Sequence, residues 1–479
     1  MKKVLATVAA LGLVVGVTAN AFAADQPTTP RASESESTTA PRVPQPTAPG
    51  VALWSVAGQW QLVGAYLSNG MGGNNTTDST PGGAAIQDGG GTDSDSHDAW
   101  YIYSFKVLPT LQVNDKISMK GEVRFVDRCI AGTSCTTSSA SRDADFKHVY
   151  MEWMSPWGKT RFGRAPAGAW GTKFIDNTNQ GDRLMWWLNM LPENWGSLIF
   201  TQKVTEDESV AGPNISTQDT TAYYVDLSYK AGFGKTTAAL WTVDRGFAMR
   251  DNENDDTVYT TNLWVTGNYT WNAFNLEYEL NFAFGDGVPL IDEEDTSDVA
   301  AYGMYFDGSY KIQDWTIGGL FFYLSGDDDL TDNDQDALFS AAGTGIDFNP
   351  YQILTGDYMG ILNPDKGSVH PSIIGQAELA LDDQTNAGAW SVGAYTRWAM
   401  SPTLSFNAVV GYASAAETPK GYDDDYGIEA NVGMQYKIMD NLTYNALFGY
   451  LWTGDYFTQN DLVDTQDVWL AAHALSMKF

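Results

Sequence analysis

The chain has 479 residues, of which 59 are Asp or Glu and 27 are Lys or Arg, giving a formal net charge of −32. So strong a negative balance excludes nucleic acid as a partner and excludes electrostatic docking on an anionic lipid surface. It does not describe a disordered acidic chain either, because 43% of the residues are hydrophobic, with 17 Trp, 24 Tyr and 21 Phe.

Residues 1–23 read as a cleaved signal peptide. Lys2 and Lys3 supply the positive region, Val4 to Val17 is apolar, and Ala21, Phe22 and Ala23 form a small-residue cleavage site. Residues 24–50 (DQPTTPRASESESTTAPRVPQPTAP and flanks) carry no periodicity, and their prolines oppose a helix or central strand, so this segment is expected to be a disordered periplasmic tail. Nothing beyond it is an unbroken apolar run of the ~20 residues a membrane helix needs. If the exported chain spans a membrane, it must do so with strands.

From Val51 onward the pattern changes to alternating segments of about ten residues. Between 117 and 125 the odd positions are Ile, Met, Gly, Val and Phe, and the even ones are Ser118, Lys120, Glu122 and Arg124. Tyr223, Val225, Leu227 and Tyr229 alternate with Tyr224, Asp226, Ser228 and Lys230. Leu276, Tyr278, Leu280 and Phe282 alternate with Asn275, Glu277, Glu279 and Asn281. Ile428, Ala430, Val432, Met434 and Tyr436 alternate with Glu429, Asn431, Gly433, Gln435 and Lys437. The last run places Trp469, Ala471, His473, Leu475, Met477 and Phe479 on one face. An apolar, aromatic-tipped face opposite one bearing charges of both signs is the pattern of a lipid-facing wall around a wet lumen.

Short connections (SPWGK, KAGFGK, WNAFN, YKIQDW, MSPTL, YKIMDN) alternate with long acidic ones at 69–98, 129–146, 206–219, 246–256, 286–298, 326–387, 414–425 and 455–466. This alternation predicts a transmembrane antiparallel up-and-down β-barrel over 51–479, with periplasmic turns below and extracellular loops above. The expected count is 18 strands if 165–182 is a loop and 183–190 a strand. It falls to 16 if 165–196 is one long loop folded inward.

Cys129 and Cys135, five residues apart in an exported chain, are expected to close a small disulfide loop. The long connections hold more than half of the Asp and Glu, and a solvated rim accounts for them. Asp327, Asp328, Asp329, Asp332, Asp334 and Asp336 are the candidates for a Ca²⁺ or Mg²⁺ site that would bridge the loops to lipopolysaccharide phosphates, although the Gly and distal Glu of a 12-residue calcium loop are missing. No cofactor is otherwise required. Lys120, Arg124 and Arg128 are expected on the inward face of one strand, Arg161 and Arg164 beside the next, and Arg397 inward with Ser391 and Tyr395. Asp176, Asp182, Glu277 and Glu279 would oppose these bases and set a transverse field across the pore. Catalysis finds little support: the four histidines (His97, His148, His370, His473) sit in no zinc, nucleophile-elbow or phosphate-loop motif, and His148 would be the base of any hydrolytic pair.

The stretch WMSPWGKTRFGRAPAGAWGT (153–172), followed by Gly181, Asp182 and Arg183, resembles the homotrimeric outer-membrane porins of sulfate-reducing deltaproteobacteria. The GDDD loop (326–329) and terminal Phe479 fit the same outline. The resemblance implies a trimeric diffusion channel, with Arg183 among the pore-lining residues. A cell-outer-membrane location follows, with outer-membrane lipid and lipopolysaccharide as surroundings and the barrel-assembly machinery as the partner of the Phe479 strand. Three functions remain in view: a passive porin, a substrate-specific channel or exporter with an aromatic or arginine ladder (Trp186, Trp187 and Trp195 being candidates), and an adhesin displaying the 326–387 connection.

Overall fold

A computed structural model of the chain describes residues 53–68, 97–132, 144–166, 172, 174, 180–205, 220–248, 255–287, 297–327, 334–338, 350–354, 387–418, 423–458 and 467–479. The expected signal peptide, the 24–50 tail, Cys135, Asp176, Asp328, Asp329 and Asp332 lie outside them.

Alternation of apolar and polar residues makes each segment a strand, and each strand pairs antiparallel with its sequence neighbours. They are β1 (Leu53–Ser68), β2 (His97–Gln112), β3 (Ile117–Gly132), β4 (Asp145–Ser155), β5 (Gly158–Pro166), β6 (Gln180–Leu188), β7 (Trp195–Thr205), β8 (Thr220–Ala231) and β9 (Gly234–Ala248). There follow β10 (Asp255–Trp271), β11 (Phe274–Gly287), β12 (Ser297–Ile312), β13 (Trp315–Leu324), β15 (Ala389–Ala399), β16 (Leu404–Ser414), β17 (Asp425–Met439), β18 (Leu442–Thr453) and β19 (Val468–Lys478). The two-residue β14 (Asp334–Gln335) pairs parallel with β12 and stands apart from the wall. The wall therefore has 18 strands, and β1 closes it by pairing with both β2 and β19. Of the two expected counts, 18 is the one observed. Its deciding strand, β6, begins three residues earlier than the alternation suggested.

Closure leaves no unpaired edge, the condition for a sheet to cross a bilayer. At the seam, Phe479 N donates to Gly58 O at 3.0 Å from the opposite sense of pairing, in which Gly58 N donates to Phe479 O at 2.8 Å; the two bonds are exchanged, Phe479 N→Gly58 O and Gly58 N→Phe479 O. The Phe479 ring covers Gly58 and stacks on Phe105, with centroids 6.1 Å apart. All short turns (113–116, 156–157, 189–194, 232–233, 272–273, 313–314, 400–403 and 440–441) lie at one end of the barrel, and the long connections at the other.

The register assigns the faces. Outward positions are apolar and exposed, among them Met119, Phe162, Tyr223, Val225, Leu240, Ile317, Val410, Val432 and Phe448. Tyr269, Trp271, Phe274, Trp315 and Trp398 form part of an aromatic girdle near the turn end, with Trp315 and Trp398 stacked at 5.1 Å. Such girdles suit the headgroup level of a bilayer.

The inward face changes along the barrel axis. Near the turn end Lys235, Asn268, Thr270, Arg397, Asn407 and Lys437 are exposed. Toward the loop end the inward residues are buried against one another and against segments that fold inside. Phe174, Phe322, Leu324, Leu338, Tyr351, Leu354, Leu451 and Leu470 belong to one apolar cluster there.

Candidate functional site: the lumen wall

On β3 the expected alternation holds from Ile117 to Arg124: Met119 is exposed outside, while Ser118, Glu122 and Arg124 are buried inside with Lys120 half-buried beside them. A register slip between Phe105 and Lys106 then inserts one residue, so that Arg124 pairs with Lys106 and Arg128 with Tyr103. A β-bulge of this kind shifts the alternation by one position, so the backbone no longer carries Arg128 on the simple parity shared by Lys120 and Arg124. The side chains of Arg128 and Cys129 lie outside the described residues, and with Cys135 the expected disulfide does too.

The neighbouring strands extend this patch into a charged network. Glu152 on β4 accepts from Lys120 Nζ at 3.2 Å and from Arg161 Nη2 at 3.3 Å, with Lys159 Nζ 4.0 Å away. Arg124 Nε donates to Glu122 Oε1 at 3.2 Å, and His148 Nδ1 lies 3.9 Å from the other Glu122 oxygen. Lys159 sits over the Trp187 ring at 4.0 Å, and Arg161 between the rings of Tyr150 and Trp187. Arg183 Nε donates to Gln202 Oε1 at 2.6 Å and Nη1 to Ala165 O at 2.8 Å. Lys106, Lys120, Arg124, Lys159, Arg161 and Arg183 thus face inward on β2, β3, β5 and β6, against two carboxylates, Glu122 and Glu152.

The opposite wall has the other sign. Glu277, Glu279 and Asp307 face inward on β11 and β12, and Tyr395 on β15 donates to Asp307 Oδ1 at 2.6 Å. Arg397 faces inward one alternate position along, its guanidinium 5.4 Å from the Tyr395 ring. Unlike charges on facing walls produce a field across the lumen. Of the acidic residues expected to oppose the bases, Glu277 and Glu279 face inward, Asp182 takes the outward parity and Asp176 lies outside the described residues.

Two expected lumen residues differ in placement. Arg164 and Asp182 pair with each other across β5 and β6, and they take the outward parity of Phe162 and Leu184. Arg164 Nε donates to Lys147 O at 3.2 Å. Among the tryptophans singled out, Trp187 faces in, whereas Trp195 is exposed outside and Trp186 shares the outward parity. The period-2 rule assigns faces only relative to one another. Which parity is inside near a strand end depends on bulges that a single sequence does not mark.

Sequence reasoning passed over Lys106, Glu152 and Lys159. Glu152 was legible, since Met151 and Trp153 flank it on the apolar parity. Of the acidic metal candidates, Asp327 is buried, while Asp334 and Asp336 are exposed. Among the described residues no group of three or more His, Cys, Asp or Glu is placed to hold a metal ion.

Segments from two long connections enter the lumen. Thr172, between β5 and β6, donates to Glu279 Oε2 on β11 through its backbone N at 3.3 Å and through Oγ1 at 2.5 Å. Phe174 stacks on Tyr305 at 5.6 Å and packs on Phe322 at 6.2 Å. Residues 172 and 174 thus meet β11 to β13 from inside, while Gln180 begins a separate strand, β6. Residues 350–354, between β13 and β15, pack against β15 to β18.

No family model and no curated relative matches this chain. Solved structures do. The outer membrane protein opdK of Pseudomonas aeruginosa covers 89% of this chain over 98% of its own, at 12% identity and a TM-score of 0.50. P. aeruginosa OpdK with vanillate covers 88% over 98%, at 12% identity and 0.51. P. aeruginosa OccK8 (OprE) covers 88% over 98%, at 11% identity and 0.50. What is shared is the fold, a closed 18-stranded antiparallel barrel.

These neighbours support the porin-like barrel that the resemblance implied, and do not extend to the porins of sulfate-reducing deltaproteobacteria. The 153–172 stretch is largely the β4–β5 hairpin, whose geometry dictates much of its sequence. Trp157 N donates to Ser155 Oγ at 3.2 Å, which in turn donates to Gly158 O at 2.9 Å. Gly158 has φ +139° and lies against Trp187 O, leaving no room for a Cβ.

Proposed function

We propose that this protein is an outer-membrane porin, a channel for passive diffusion of small hydrophilic solutes and ions. The observation that carries this reading is the charged inward patch formed by Lys106, Lys120, Arg124, Lys159, Arg161 and Arg183 within a barrel whose outer wall is apolar. Buried inside a solid apolar core, a group of charges such as these would be costly. Beside water they concentrate anions, and the acidic wall of Glu277, Glu279 and Asp307 orients what passes. In this reading the passage runs beside the charged patch of β2 to β6, and anions are the favoured ions. Planar-bilayer recording of the purified protein tests this: stable conductance with an anion-biased reversal potential is expected, and folded protein without conductance would overturn the reading.

A substrate-specific channel is the second reading, favoured by the two inward segments that narrow the lumen. A carboxylate such as the vanillate bound to the OpdK neighbour has the charge that this basic patch would select. Dose-dependent current block by one carboxylate, and not by a neutral analogue of its size, would distinguish selective from general diffusion. The reading includes export through a cleaved signal peptide, assembly into homotrimers, recognition of the Phe479 strand by the assembly machinery, and divalent cations bridging the acidic rim to lipopolysaccharide.

A further inference from the structure

Glu429 is the most enclosed carboxylate of the lumen wall, and its hydrogen bonds are unlike those of the charged patch. It lies on the inward face of β17 with no exposed surface, between Gly411 on β16 and the equally buried Leu451 on β18. Gln352 N and Ile353 N donate to its Oε1 at 2.7 and 2.9 Å, and Leu354 N donates to Oε2 at 2.6 Å. Three consecutive backbone N–H groups aimed at one carboxylate make a compact anion-binding nest, and charge-assisted bonds of this kind are about twice as strong as neutral ones.

The chain around this nest is shaped to fit. Tyr351 hydroxyl is 2.8 Å from Ser391 Oγ, which donates to Tyr412 O at 2.7 Å. Its ring edge occupies the space where Gly411 would carry a Cβ, so β16 admits the ring only because that residue is glycine. Ile353 packs toward Gly449 on β18. Residues of four strands, β15 to β18, thus receive the five residues 350–354. On the other side of the lumen Glu279, nearly as buried, receives Thr172 by a backbone N–H and a hydroxyl.

We propose that Glu429 and Glu279 are positioning residues, two wall carboxylates that hold the 350–354 and 172–174 segments inside the barrel and thereby set the aperture of the channel. Glu429 is the principal clasp, because it fixes three consecutive backbone groups of the segment. The carboxylate form matters: Gln at this position offers one acceptor oxygen and points an NH₂ at backbone donors. The consequence for conductance rests on the channel reading above, whereas the clasp itself does not.

The experiment separates the two. Leu354→Cys, with Cys129 and Cys135 replaced by Ser, places a thiol where Leu354 is buried, and a membrane-impermeant maleimide reports its exposure in the folded, membrane-inserted protein. With Glu429 intact, labelling should be slow. Glu429→Gln should speed it by about tenfold or more, the change expected when charge-assisted bonds are lost, and should raise single-channel conductance. Glu429→Asp, which keeps the charge but withdraws the carboxylate, should give an intermediate rate, and it serves as the test if the Gln variant does not fold by gel mobility. Unchanged labelling in the folded Gln or Asp variant would overturn the proposal, whatever the conductance. Faster labelling in protein that never conducts would uphold the clasp and sink the channel reading instead.

Discussion

The two halves of the lumen solve different problems with the same alternation of side chains. At the turn end, inward positions such as Asn407 and Lys437 are exposed and the inward Thr316 is half-buried, and their polarity follows from contact with water. At the loop end, inward Phe322, Leu324, Leu451 and Leu470 are sealed beneath segments that return from the long connections. An apolar residue on the inward parity is thus no error of patterning but a seat for an infolded segment. The sector of β2 to β6 differs again, since its inward face carries the charged network of Lys120, Glu122, Arg124, Glu152, Lys159, Arg161 and Arg183. A barrel of this width encloses more volume than its own wall side chains fill, and here residues 172, 174 and 350–354 occupy part of it.

Breaking the packed half should cost the most. Phe322→Ala removes a fully buried ring that meets Phe174, and a loss of about 3–5 kcal/mol is expected in urea-induced unfolding from lipid. The same truncation at Thr316, inward on the same strand at the turn end, should change stability by less than about 0.5 kcal/mol. Equal costs at the two sites would erase the distinction between the halves.

The lipid face comes next. Val432→Arg places a cation on the exposed outer wall at mid-strand, where about 2–4 kcal/mol is expected. Gln435, on the inward parity of the same strand, should accept Arg with little cost. The reverse ranking would show that the faces are exchanged.

Within the polar sector, Glu152→Gln leaves Lys120, Lys159 and Arg161 uncompensated. A unit charge about 4 Å away is worth about 1 kcal/mol in water, so the anion-to-cation permeability ratio should rise by roughly fivefold, read from the reversal potential. An unchanged ratio would mean that ions pass elsewhere. The smallest effect is that of salt: since screening shortens from about 10 Å at 0.1 M to about 3 Å at 1 M, the Glu152→Gln shift should shrink at high salt, while the Phe322→Ala cost should not.

Sequence alone determined the wall. Strand length, alternation, the sequence of short and long connections and the aromatic face ending at Phe479 give the barrel and its 18 strands, because a bilayer demands paired backbone and an apolar exterior and each demand leaves a local mark. It also placed Lys120, Glu122, Arg124, Arg161, Glu277, Glu279 and Arg397 on the inward parity. What lies inside was decided only by tertiary structure. Glu429 was visible as a polar residue opposite Ile428, but its partners at 352–354 are more than seventy residues away in the chain. Likewise, the outward turn of Arg164 and Asp182 follows from the register near the ends of β5 and β6, and the slip after Arg124 follows from a bulge. Period-2 patterning reports which residues share a face, whereas the occupant of the lumen depends on how distant connections fold back, and no local preference records that.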